Sequence, residues 1–254
     1  MKKLILFIGV LLISVSLSAQ NAMEILKKSN ELMQGKSQYA EMTMKIVRPT
    51  WSRSMSLTTC SKGTDYSLVL VTAPAKEKGQ SFLMVENEMW TWNPKIRSVV
   101  KIGSSMKSQG WMGSDYSNDE LLDESSIVVD YTHKIIGSET VSGKDCYKIE
   151  CIPKKGSAII WGKQIKWISK DGFLQLKTEY YDEDNYLIKT ELASKIKTMD
   201  GREIPTQFEI IPEDEPDQQT ILIINKIIFD VEVDKTFFTQ QNMKKGENIR
   251  FPQK

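Results

Sequence analysis

From Tyr39 onward the chain repeats with a period of two, and this constrains its fold more than any other feature. On Tyr39–Arg48 the residues Ala40, Met42, Met44 and Ile46 are apolar, while Glu41, Thr43 and Lys45 are polar. Met55 and Leu57 share one side of Ser54–Ser61. The same pattern groups Ile159, Trp161, Ile165 and Trp167, then Leu174, Leu176 and Tyr180, then Ile188, Leu192 and Ile196, then Ile204, Phe208 and Ile210. The longest run is Ile221–Val233. It sets Ile221, Ile223, Ile227, Phe229, Val231 and Val233 on one side, interrupted only by Asn225. Alternation of this kind marks half-buried strands, because successive side chains of a strand point to opposite faces. Turn signals separate the runs: Glu86-Asn87-Glu88, Ser142-Gly143-Lys144-Asp145, Lys170-Asp171-Gly172, Asp182-Glu183-Asp184-Asn185 and Asp200-Gly201-Arg202. Each is short enough to close a hairpin. The chain therefore reads as mainly β, an antiparallel meander of about ten or eleven strands, and accumulated twist curls so wide a sheet toward a barrel.

Two segments break the pattern. Ala22, Ile25, Leu26, Ser29, Leu32 and Met33 follow helical spacing, and Gly35 ends the helix. Residues 103–124 form a Gly-punctuated loop that carries Trp111, Met112, Tyr116 and Leu121. Apolar side chains on a mobile loop cost solvation energy unless they close over something. The helix and this loop are the pieces able to cover the apolar side of the sheet. A wide curled sheet encloses more volume than its own side chains occupy. The filler on offer is Met42, Met44, Met55, Met84, Met89, Met106 and Met112, and methionine suits surfaces that accept irregular partners. The alternative is that these methionines simply pack a core. The expected ligand is an apolar chain entering between sheet and loop. Trp111, Met112 and Tyr116 would form its gate, with Gly103, Gly110 and Gly113 as hinges, and Phe82, Met84, Trp90 and Trp92 would form its wall.

The compartment is read from the first residues. Lys2 and Lys3 precede an almost unbroken hydrocarbon run, Leu4–Ile13, followed by the small, mildly polar Ser14–Ala19. Residues 1–19 read as a cleaved signal peptide, and 20–254 as one exported domain, expected to be monomeric. The formal net charge is +1; residues 1–19 hold two lysines and no acid, so cleavage leaves +1 − 2 = −1. A nearly neutral chain offers no field for a phosphate backbone, so nucleic acid is not expected as a partner. Cys60, Cys146 and Cys151 give an odd count for an oxidising compartment. Cys146 and Cys151 sit five apart on one strand, roughly 17 Å at about 3.4 Å per residue, beyond disulfide reach. Cys60 either pairs across strands with one of them or all three are buried free thiols.

Nothing in the chain assembles a catalytic centre. Ser104-Ser105-Met106-Lys107 matches a Ser-x-x-Lys pattern without its partner motifs. His133, the sole histidine, lies in Asp130–Lys134 with no positioned nucleophile, and reads as an exposed strand residue. One His and three scattered Cys make no zinc site. The acids Asp115, Asp119, Glu120, Asp123 and Glu124 lack the spacing of a calcium loop and fit the start of a short helix capped by Ser117 or Asn118. Ser142-Gly143-Lys144 is a turn, not a phosphate loop. No cofactor, metal or catalytic residue is expected.

Several of these residues resemble the LolA-like outer membrane lipoprotein-sorting protein family. They are Thr72-Ala73-Pro74, Lys78-Gly79-Gln80-Ser81-Phe82-Leu83, Met89-Trp90-Thr91-Trp92-Asn93-Pro94 with Arg97, and Met112-Gly113-Ser114-Asp115-Tyr116 with Asp119 and Leu121. The similarity extends to Asp234–Met243. It implies a periplasmic half-barrel with a helical lid, and a carrier that binds acyl chains of lipids or lipoproteins and shuttles them toward the outer membrane. An inner-membrane transporter and an outer-membrane acceptor would be its partners. The rival reading is a periplasmic lipid or lipoprotein sensor feeding an envelope-stress regulator. Carriers of this family use an arginine to tie the lid to the barrel; Arg48 and Arg97, near strand ends, are the candidates. The chain departs from the smallest carriers in its length and in its Met-Gly-Ser-Asp-Tyr loop, which leaves the cargo open.

Overall fold

The computed structural model describes residues 21–253 apart from 87, 119, 121–125 and 158. Residues 1–19, read above as a signal peptide, and Asp119, Leu121, Asp123 and Glu124 lie outside the described residues. A helix, α1, covers 21–34. The strands that follow are β1 (Ser37–Arg48), β2 (Trp51–Lys62), β3 (Tyr66–Ala73), β4 (Ser81–Val85), β5 (Glu88–Asn93) and β6 (Ser98–Ile102). Short helices α2 (Ser104–Lys107) and α3 (Ser126–Val129) come next. Then come β7 (Tyr131–Val141), β8 (Lys144–Pro153), β9 (Lys163–Ser169), β10 (Gln175–Tyr181), β11 (Leu187–Met199), β12 (Arg202–Pro212) and β13 (Gln219–Phe229). One further short helix, α4 (Gln240–Met243), lies in the C-terminal segment. No described helix is long and apolar enough to cross a membrane.

All thirteen strands form one antiparallel sheet, ordered β6-β5-β4-β3-β2-β1-β13-β12-β11-β10-β9-β8-β7. That exceeds the ten or eleven expected. β3 is buried on both faces through Leu68, Val69, Leu70 and Val71, so it does not alternate, and β6 has only five residues. A count of alternating runs passes over strands of both kinds.

This order decides where the lid goes. Successive strands are hairpin neighbours everywhere except between β6 and β7, which are the two opposite edges of the sheet. The connection 103–130 therefore has to travel from one edge to the other, and it crosses the inner face on the way. Trp111 and Tyr116 from this connection pack into one cluster with Met44, Met55, Phe82, Met84 and Met89 from β1, β2, β4 and β5. Helix α1 covers the far side of the same face, where Ala22, Ile25 and Leu26 meet Tyr131, Ile149, Cys151 and Ile168. The outer face of the first strands is covered by the C-terminal segment: Phe238, Met243 and Ile249 pack on Tyr66, Leu68, Leu83 and Trp92.

A β-bulge corrects the reading of the last strand. β1 pairs Glu41 with Lys226 but Met42 with Ile224, leaving Asn225 as the extra residue. One inserted residue flips every side chain beyond it. Ile227 and Phe229 share the inner face with Leu222 and Ile224, whereas Ile221 and Ile223 point outward. The apparent single stripe is two stripes on opposite faces.

Candidate functional site

Between the inner face of the sheet, α1 and the lid lies a cavity of about 230 Å³. One water needs roughly 10–15 Å³ on the same measure, so this is no packing defect. Its apolar wall comes from the central strands: Met42 on β1, Leu57 on β2, Met84 on β4, Phe208 on β12, and Leu222 and Ile224 on β13.

The opposite wall is polar. On β9, β10 and β11 the register places Lys166 opposite Thr178 and Thr178 opposite Glu191. The next rung holds Gln164, Tyr180 and Lys189. Gln164, Lys166, Tyr180 and Glu191 all border the cavity and are buried. Ile165, Trp167 and Leu192 occupy the intervening positions and point away from it. The sequence pattern suggests that apolar residues face inward throughout. On β9 and β11 the faces are exchanged; on β10 a register shift between Gln175 and Lys177 splits the run, so Leu174 and Leu176 join Ile165 and Trp167 while Tyr180 reaches the cavity.

The lid is fastened to both halves of the sheet. From β1, Arg48 donates through Nη1 and Nη2 to the two carboxylate oxygens of Asp115, at 3.1 and 3.0 Å, and also to the Gly113 carbonyl at 2.9 Å. From β2, Arg53 donates to the Met112 carbonyl and pairs with Glu77. From β13, the Thr220 hydroxyl donates to Asp115 at 2.6 Å. From β11, Lys189 Nζ donates to Glu120 at 2.6 Å and to the Asp115 carbonyl at 2.7 Å, beneath the rings of Trp161 and Tyr180. Tyr116 completes the set, donating its hydroxyl to Glu191 at 3.2 Å.

Met112 holds a left-handed backbone, φ 51°, which costs a non-glycine residue roughly 1–2 kcal/mol. Trp111 is fully buried, 4.9 Å from the Phe82 ring centroid. Burial of its side chain contributes on the order of 4–6 kcal/mol. Its indole N–H has no hydrogen-bond partner, which offsets part of that gain by about 1–3 kcal/mol. The lid is thus held both by ion pairs and by the packing of Trp111. At Gly110 a Cβ would lie 2.7 Å from the Ser114 carbonyl oxygen, so the turn that presents Trp111 needs glycine.

Burial pushes the Glu191 carboxyl up from its usual range; Lys166, the Tyr116 hydroxyl and Lys189 pull it down, and Glu120 adds to the rise. Among the described residues, no group of three His, Cys, Asp or Glu side chains is placed to hold a metal ion.

Residues 63–245 match a protein-family model whose description reads "Uncharacterized protein". Among solved structures, a DUF1329 family protein from Desulfovibrio piger is 27% identical, with a TM-score of 0.81 over 89% of this chain and 99% of that one. A putative outer membrane lipoprotein-sorting protein domain from Vibrio parahaemolyticus is 22% identical, with a TM-score of 0.79 and the same coverage. A LolA superfamily protein from Nitrosomonas europaea is 21% identical, with a TM-score of 0.75 over 87% and 98%. The chain belongs to the matched family, and its fold is LolA-like. No curated protein matches it. The resemblance read from the sequence motifs is borne out in the fold.

The LolA-like sheet brings most of the anticipated site residues together. Met44, Met55, Phe82, Met84, Trp111 and Tyr116 share one cluster, with Met42, Met106 and Met112 packed against it. Of these, Met42, Met84 and Tyr116 border the cavity itself; Met44, Met55 and Phe82 pack under the lid, and Met106, Trp111 and Met112 belong to the lid. Trp90 and Trp92 are corrected. β4 and β5 pair Leu83 with Trp90 and Ser81 with Trp92, so both rings share the outer face with Leu83, away from Phe82 and Met84. The hairpin register, not the aromatic content, sets the side.

His133 is corrected as well. It is buried on β7, and its Nε2–H donates to the Ile127 carbonyl at 2.6 Å. The capping expectation holds at Ser117, whose Oγ accepts from the Glu120 amide while Glu120 accepts from the Ser117 amide. Asp115 has a different role, as partner of Arg48. Cys60, Cys146 and Cys151 are buried and free, and burial raises the thiols of Cys60 and Cys151 to about 12.

Sequence reasoning missed Lys166, Glu191 and Gln164. Their only signal was cross-strand register: Lys166, Thr178 and Glu191 align only once three strands are paired.

Proposed function

We propose that this chain is a periplasmic carrier that holds acyl chains of lipids or lipoproteins in the cavity beneath its lid and hands them toward the outer membrane. The observation behind the reading is the unfilled space of about 230 Å³ between an apolar wall and a lid fastened in part by ion pairs. Each buried methylene contributes about 0.8 kcal/mol, so ten to twelve of them supply roughly 8–10 kcal/mol before ordering costs. Retention of that order is firm yet reversible when a membrane site offers equal burial. Release requires the lid to move, and ion pairs at the rim weaken as water enters. No reaction at the cargo is part of this reading.

Native mass spectrometry of the protein taken from its own periplasm tests it. The expected spectrum shows adducts of lipid mass that disappear on collisional activation. A spectrum of apoprotein alone, with no uptake from lipid vesicles, would reject the carrier.

A further inference from the structure

We infer that the cavity takes the head group as well as the tail: its ligand is a single-chain amphiphile whose anionic oxygen, carboxylate or phosphate, seats against Lys166. The inference rests on the reading that an acyl chain occupies the apolar side. A pocket for hydrocarbon alone has no use for a cation in its wall.

Apart from tyrosines, the ionisable side chains bordering the cavity among the described residues are Glu120, Lys166 and Glu191. Glu120 is paired with Lys189 at 2.6 Å. Lys166 is more than nine-tenths buried. Its Nζ donates to the Gln175 side-chain oxygen at 3.0 Å and, at the limit of reach, to the Thr178 hydroxyl at 3.5 Å. Both partners are neutral, and Lys166 makes no ion pair among the described residues. Its nearest acid on the same rung, Glu191, acts on it only across Thr178. A buried ammonium with no carboxylate in direct contact is expensive, and an entering anion lowers that cost while gaining charge-assisted hydrogen bonds.

The surroundings suit such a head group. Gln164 stands one rung away with its amide nitrogen donating to the Tyr131 hydroxyl at 2.9 Å. Glu191, two strands over on the same rung, is bonded to Tyr116 of the lid. The apolar wall of Met42, Leu57 and Ile224 lies across the cavity. An amphiphile therefore finds its two chemistries on opposite walls, with the polar end under the lid residue Tyr116.

The test compares dodecanoate, dodecyl phosphate and methyl dodecanoate by isothermal titration at pH 7.5, with wild type and Lys166→Met. Wild type is expected to bind at least one anion about tenfold more tightly than the neutral ester. Lys166→Met should abolish that preference, bringing the anions to the affinity of the ester. Which anion wins identifies the source, a free acid or a phosphate ester. Equal binding of all three to wild type overturns the head-group site and leaves the acyl carrier standing. Binding of none overturns both. The wild-type comparison stands by itself should the variant fold poorly.

Discussion

Arg48 grips Asp115 with both ends of its guanidinium, at 3.0 and 3.1 Å, and both side chains are largely shielded from water. This joins the end of a central strand to the lid tip; of Arg48 and Arg97, it is Arg48 that bonds to the lid. Arg97 has a left-handed backbone in the β5–β6 turn. Removing one member of a shielded pair leaves the other uncompensated, at about 3–5 kcal/mol. Arg48→Met should therefore raise hydrogen exchange at the amides of 111–117 far more than at β1 or β2. The double variant with Asp115→Asn should recover part of the protection, because no stranded carboxylate remains. Equal exchange in wild type and Arg48→Met would deny the pair a role in closure.

Trp111 separates the packing of the lid from its charges. Trp111→Ser removes a fully buried ring from the cluster with Phe82 and Met44, and should cost roughly 3–5 kcal/mol in urea denaturation. Trp111→Phe keeps the ring contact and deletes the unpartnered N–H. It should be near neutral in stability and slow the release of bound lipid, since the closed lid loses a buried unsatisfied donor. Faster release from Trp111→Phe than from wild type would contradict this account.

Legibility in the sequence followed the physics of each element. The strands that alternate, such as β1 and β12, were visible because one face is wet. β3 was not, because both its faces are dry. Phe82, Met84, Trp111 and Tyr116 could be assigned to the lid and its bed from their type and spacing. The outward turn of Trp90 and Trp92 depends on which residue of β4 meets which of β5, a relation between strands that no single run of residues records. The flip at Asn225 and the inward polar rung of Lys166, Thr178 and Glu191 were hidden for the same reason. Alternation gives the faces of a strand but not which face is inside.

His133 gives the protein a defined pH response. Burial lowers its pKa from 6.5, with Lys154 acting in the same direction, while its bond to the Ile127 carbonyl opposes them. The unfolded chain then binds a proton at a higher pH than the folded one. Stability rises with pH across the window below about 6.5 and is lost as pH falls through it. His133→Gln should flatten that slope between pH 5 and pH 7 in chemical denaturation. An unchanged slope would assign the response to other groups.

Met42 offers the most direct trial of the cavity. It borders the space, is only partly buried, and touches both the cluster under the lid and the one around Ile224 and Ile227. Met42→Trp adds a bulky ring at a place where the wall has room in front of it, so the usual overpacking cost of about 1–3 kcal/mol should be largely absent. The thermal midpoint should stay close to wild type or rise, because filled space gains dispersion contacts. Retention of a twelve-carbon chain should fall on the order of tenfold or more, since the ring takes the volume the hydrocarbon would use. The two readings move in opposite directions only if the space is a ligand site. A variant that keeps full retention would place the chain elsewhere, and one that loses stability together with retention would mean that Met42 faces packed core.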